Sequence, residues 1–78
     1  MQIKLEMIED VNNFVKACTN YYAGDIYVTQ GKQVINAKSL LGMFSLNLSE
    51  SVYVEIETKD DEVKSNFYNY IAKWEVCE

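Results

Sequence analysis

Ile3 and Leu5 alternate with Gln2, Lys4 and Glu6 at the start of the chain. This is the period-two pattern of a strand with one dry and one wet face. The period then lengthens. Ile8, Val11, Phe14, Val15, Cys18 and Tyr22 recur at helical spacing and lay one apolar stripe along a helix over 8–21. Glu9 and Asp10 fall in its first turn, where the helix dipole favours acids. Ala23-Gly24 ends it. Ile26 and Val28 alternate with Tyr27 and Thr29 as a second strand, Gln30-Gly31-Lys32 reads as a tight turn, and Gln33 to Asn36 completes a hairpin as a short third strand.

The next stretch is denser. Ser39 stands where a helix N-cap stands, ready to accept an orphan backbone N–H. Leu40, Leu41, Met43 and Phe44 then crowd one short helix, which Leu46-Asn47-Leu48 closes. So short a helix cannot bury all four against one sheet, so some of them are expected at the surface as a patch for a partner. Val52, Val54 and Ile56 alternate with Tyr53, Glu55 and Glu57 in the clearest strand of the chain. Asp60 or Asp61 caps a last helix with the stripe Val63, Phe67, Tyr70, Ile71 and Trp74.

The predicted order is β-α-β-β-α-β-α. Half-wet strands beside amphipathic helices imply a two-layer α+β domain. With 78 residues the chain has room for one domain, 1–78, and a modest core. An apolar fraction of 49% argues for a folded chain rather than a disordered one.

Charge narrows the function. Seven lysines, no arginine and twelve acids leave a net charge of -5, which lacks the electrostatic footprint of a nucleic-acid binder. No apolar run reaches the length of a membrane span. The segment 1–6 alternates with charge, unlike a signal peptide, so a cytoplasmic protein is expected. Cys18 and Cys77 are then two reduced thiols, Cys18 in the core. Without histidine they make no zinc site, and no metal or cofactor is expected.

Gly31-Lys32, Ala37-Lys38-Ser39-Leu40-Leu41-Gly42, and Ser45-Leu46 with Leu48 together resemble the HPr family. These are the small histidine-containing phosphocarrier proteins of the bacterial sugar phosphotransferase system. The similarity extends over nearly the whole chain, with Phe14-Val15-Lys16 fitting in the first helix. Asn47 stands where the family usually has glycine, a mild change because asparagine tolerates a left-handed backbone. The resemblance implies an HPr-like sandwich: a four-stranded antiparallel sheet with three helices on one face. The open face is then expected to carry Lys4, Tyr27, Thr29, Tyr53, Glu55 and Glu57.

The family's chemistry is missing. A phosphocarrier of this kind needs a histidine at the start of the first helix, and a nearby arginine to hold the anion. This chain has neither. Met7 falls at the histidine position, Glu9 near the arginine and Asp10 near the usual proline, and the loop before the helix is shortened. The acids repel a dianion where a clamp is required. Phosphoryl transfer through histidine is therefore excluded on chemistry.

Other catalytic patterns are weak. Gly31-Lys32 lacks the glycine and hydroxyl of a P-loop. Asp60-Asp61-Glu62 reads as a solvated cap, and Glu55 and Glu57 as solvated strand residues rather than an acid–base pair. The chain is not read as an enzyme. What remains is Ser39, whose counterpart in Gram-positive members is phosphorylated by a dedicated kinase, after which the protein binds a transcriptional regulator. The resemblance thus implies a regulatory interaction module with Ser39 as the phosphorylation site. Lys38, Leu40, Leu41, Met43, Phe44 and Leu48 form its partner-binding surface. The implied partners are an enzyme I-like protein, an HPr serine kinase or a transcriptional regulator. The alternative is a divergent binding module outside the phosphotransferase system, or a homo-oligomeric subunit, that uses the same apolar patch.

Overall fold

The computed structural model describes residues 1–21 and 24–76. The predicted stretches become β1 (Gln2–Ile3), α1 (Ile8–Tyr21), β2 (Ile26–Gln30), β3 (Gln33–Asn36), α2 (Leu40–Met43), β4 (Val52–Ile56) and α3 (Asp61–Tyr70), followed by a 3-10 turn, Ala72–Trp74. The strands form one antiparallel sheet in the order β1-β4-β2-β3. The helices cover one face, giving the α+β sandwich expected from the sequence.

Register follows from the apolar alternation. Val28 lies opposite both Val54 and Ile35, Ile26 opposite Ile56, and Ile3 opposite Val52. All of these face the helices, and all but the half-buried Ile35 are buried. A one-residue slip of any strand would turn its set into water. From above, α1 contributes Val11, Phe14, Val15, Ala17 and Cys18, and the last helix and turn contribute Phe67, Ile71 and Trp74. Phe14 meets Trp74 edge to face, with ring centroids 5.7 Å apart. No polar or charged side chain is buried among the described residues.

The other face is wet. Tyr53 and Glu55 are exposed, Tyr27 and Thr29 half-buried. Tyr27 stands opposite Glu55 and Asn36, and Thr29 opposite Tyr53 and Val34, so the two tyrosines share the sheet with polar cross-strand neighbours. The negative charge of Asp25 above all, then burial, a hydrogen bond with Asp25 and the charge of Glu57 hold the Tyr27 phenol above its ordinary pKa.

Several expectations need correction. Met43, expected on the docking surface, is fully buried. It points down from the one turn of α2 into the sheet, where a methionine gains ~1.5–3 kcal/mol on leaving water. Tyr70 is about half exposed rather than part of the dry stripe, and stacks on Tyr21 with centroids 5.1 Å apart. Three residues past Phe67, it sits at the edge of the buried face. The first strand pairs only through Ile3, because beyond it Lys4 donates its N–H to the Trp74 carbonyl instead of to β4. Leu5 is nevertheless buried, so the alternation outlasts the ladder.

Asn47 takes no left-handed conformation. Among the described residues only Gly31 has positive φ, at 59°. Asn47 instead uses its side-chain oxygen to accept from the Ser49 N–H and hydroxyl. Positive φ at the first of two loop residues suits a type II′ hairpin, and Gly31 supplies it. Tyr22, Ala23 and Cys77 lie outside the described residues.

Candidate functional site

The residues singled out by sequence sit along α2 and its flanks. The turn into α2 is held by Asn36, whose side-chain oxygen accepts from the Lys38 N–H at 2.9 Å and whose carbonyl accepts from the Ser39 N–H at 2.9 Å. Ser39 is the N-cap: its backbone is extended and its hydroxyl oxygen accepts from the Gly42 N–H at 3.2 Å. Gly42 is there because of crowding. A Cβ built on it would stand 2.8 Å from the Ile35 methyl and 3.1 Å from the Ser39 oxygen. The helix therefore lies tight against β3, and its side chains are forced either down into the core or out into solvent.

Both fates occur within four residues. Met43 goes down. Leu41 is 85% exposed, and Leu40 and Phe44 are each 39% exposed. Leu48 is half-buried against the core. Ser39 is exposed and Lys38 half-buried, with the Lys38 ammonium donating to the Gly24 carbonyl at 2.8 Å. The structure thus leaves Ser39, Leu40, Leu41 and Phe44 exposed, keeps Lys38 and Leu48 half-buried on the flanks of α2, and takes Met43 into the core.

Two contacts set the direction of α2 relative to α1. The Lys38 bond to Gly24 puts the start of α2 beside the end of α1. Lys4, Glu6, Leu48 and Ser49 line one shallow hollow, which puts the segment after α2 beside the link into α1. That segment is pinned to the sheet by a reciprocal amide pair. The Gln30 side chain donates to the Asn47 carbonyl at 2.8 Å and accepts from the Asn47 N–H at 2.8 Å.

The start of α1 adds residues that sequence reasoning missed. Met7 is 64% exposed, and Ile8, assigned to the buried stripe, is 67% exposed. The apolar period of α1 is correct, but its first turn projects past the layer that would cover it. Only the shortness of the link from β1 hinted at this. The helix begins with the Val11 N–H donating to the Met7 carbonyl, and the Asp10 carboxylate accepts from the Met7 N–H at 3.4 Å. Glu6 precedes this end, and Glu9 and Asp10 lie in its first turn.

The chemistry on offer is narrow. Among the described residues no cluster of three His, Cys, Asp or Glu side chains could hold a metal. Burial pushes the Cys18 thiol up to about 12, with the Lys38 charge pulling slightly the other way, so the sulfur stays a neutral core atom. Asp60 is a cap: its carboxylate accepts from the Glu62 and Val63 N–H groups at 2.9 and 3.3 Å. No described helix is long and apolar enough to cross a membrane.

Comparison with known proteins agrees with the fold. The catabolite repression containing protein Crh of Bacillus subtilis, solved as a swapped-domain dimer, superposes with a TM-score of 0.63. The match covers 100% of this chain and 90% of that one at 22% identity, a likeness of fold. No curated protein matches the chain. The sequence model of the PTS-HPr family, described as the PTS HPr component phosphorylation site, matches residues 10–68. With more than half its length matched and the sandwich in place, the chain belongs to the PTS-HPr family, whose members are phosphocarrier or regulatory proteins of the phosphotransferase system that work through protein partners.

Proposed function

We propose that this chain is an HPr-like regulatory protein without phosphocarrier activity. It docks protein partners through Leu40, Leu41, Phe44 and Leu48, with Lys38 and Ser39 at the rim, and is switched by phosphorylation of Ser39. The observation that carries the reading is the pairing of an exposed serine with a large exposed leucine two residues on. The missing histidine supports the first half: Met7 has no group that takes a phosphoryl, and Glu9 and Asp10 follow it. For the second half, a phosphate on Ser39 adds about -1.5 to -2 charge beside an apolar surface, which changes what can dock there. One turn of helix carries little dipole, so the effect is chiefly on the surface and not on α2 itself.

The family implies an enzyme I-like protein, an HPr serine kinase or a transcriptional regulator as partner, in the cytoplasm, with the whole of 1–78 as one unit. Crh carries catabolite repression in its name, which favours the regulatory member of that set. Its swapped dimer favours a second reading, a homo-oligomer, and size-exclusion chromatography separates the two.

The deciding test is the mass of the purified protein after incubation with ATP and a Gram-positive HPr serine kinase, and in parallel with phosphoenolpyruvate and enzyme I. One phosphate from ATP, absent in Ser39→Ala, is the expected result. Transfer from phosphoenolpyruvate would sink the reading, and no phosphate from ATP would leave Ser39 a helix cap.

A further inference from the structure

The first strand has a neighbour on each side. Toward β4, the Val54 N–H donates to the Met1 carbonyl at 2.7 Å and Ile3 stands opposite Val52. On the far side lies the segment that leaves the 3-10 turn. The Lys4 N–H donates to the Trp74 carbonyl and the Val76 N–H to the Gln2 carbonyl, both at 3.0 Å, around an antiparallel bridge between Ile3 and Glu75. Residues 74–76 therefore sit on the edge of β1 as a short added strand. Without them, the Gln2 carbonyl and the Lys4 N–H would face outward as a template for another extended chain.

The hold of this segment is uneven. Trp74 is the anchor: it is 9% exposed and meets Phe14 edge to face. The Lys73 ammonium lies 4.6 Å from the centre of the same ring. Past the ring, Glu75 is exposed and Val76 half-buried. Residues 73–76 line an open hollow together with Lys4, Glu6 and Asp10, so this side of the segment borders solvent. Upstream, the exposed Ala72 and Lys73 separate Trp74 from the fully buried Ile71, which ties down the end of α3.

We infer that residues 74–76 are a displaceable latch over a strand-addition site on β1, and that the site takes an extended segment of a partner protein led by an aromatic residue. The seated latch is the template for that occupant. Its ring fills the place beside Phe14 and its backbone meets Gln2 and Lys4. An incoming segment makes the same two hydrogen bonds and buries its own ring, so the exchange keeps the edge paired and the core dry. The apparent affinity scales with the fraction of molecules whose latch is open. This site is separate from the α2 surface and does not depend on Ser39.

The test uses the isotope-labelled full chain and a peptide copying residues 72–78, with serine in place of Cys77. Binding is expected to shift the amides of Ile3, Lys4 and Phe14 in the NMR spectrum. A second peptide, with serine also in place of Trp74, is expected to leave them unmoved. Val76→Pro removes the N–H that bonds Gln2, and the extended backbone of Glu75, at φ -62° and ψ 137°, suits a following proline. The variant keeps the Trp74 anchor and is expected to bind the first peptide about fivefold more tightly, the worth of one hydrogen bond. Hydrogen exchange of the parent needs no variant: the Lys4 amide is expected to exchange about tenfold or more faster than the Val28 amide of the central strand. Shifts confined to α2 or to the open sheet face, no shifts at all, or equal binding of the peptide without tryptophan would overturn the inference. So would unchanged affinity in a folded Val76→Pro, or Lys4 exchange as slow as that of Val28, which would mean that the latch opens only when the whole chain unfolds.

Discussion

Leu41 and Met43 are two residues apart on a single helical turn, and they answer to different forces. Met43 is fully buried and Leu41 is 85% exposed. Truncating Met43 removes buried methylenes and leaves a cavity that the surrounding sheet cannot fully close. Met43→Ala is therefore expected to lower stability by about 2–5 kcal/mol, and Leu41→Ser to stay within about 0.5 kcal/mol of the parent. Urea unfolding of both variants checks this, and equal losses would show that the two residues share one environment. The same contrast separates function from stability: Leu41 is the residue to change when docking is tested, because it carries little of the fold.

At the scale of elements, the helices are begun by side chains and the hairpin by a glycine. Asp60 accepts from two N–H groups of α3, and Asp61 and Glu62 follow in its first turn. Asp60→Ala leaves those donors to water and is expected to cost about 1 kcal/mol, while Asp60→Asn, which keeps an acceptor, spares most of it. Thermal melts of the pair decide whether the carboxylate acts as a cap. An equal loss in Asn would mean that charge, and not the hydrogen bond, matters. The short α2 relies on different support. Its Ser39 cap holds one N–H, while Gly42 lets the helix lie on β3, and the Gln30–Asn47 amide pair holds the chain that leaves it. A segment anchored at both flanks can keep leucines in water that an isolated turn would not hold in place.

At the scale of the whole molecule, burial sets the ionisation of the core. Cys18 is fully buried, and the loss of water pushes its thiol from 9.0 to about 12. Below 9.0 the thiol is protonated whether the chain is folded or not, and it adds no pH dependence. Between 9.0 and about 12 the unfolded chain sheds a proton that the native chain keeps, so stability falls as pH rises through that window. Relative to Cys18→Ala, the parent is expected to lose an extra ~1 kcal/mol by about pH 10. Urea midpoints of both proteins at about pH 8 and about pH 10 measure the difference in slope. Tyr27 is common to the two proteins and cancels. Parallel slopes would mean that the thiol reaches water in the native state.

The alternation of Val52, Val54 and Ile56, the stripe from Val11 to Cys18 and the hairpin glycine were legible without coordinates. Period and turn chemistry are local, and each names its own face. The same local logic placed Ser39 as a cap and narrowed the other cap to Asp60 or Asp61, and the absence of histidine and arginine needed only the sequence. Local pattern says that a residue is apolar, but not whether a second layer reaches it. Ile8 has the right period and Met43 the wrong expectation, because coverage depends on where α2 and the start of α1 end relative to the sheet. That distance is a tertiary quantity. It decided that Met43 belongs to the core and that Met7, Ile8 and Leu41 stand in solvent.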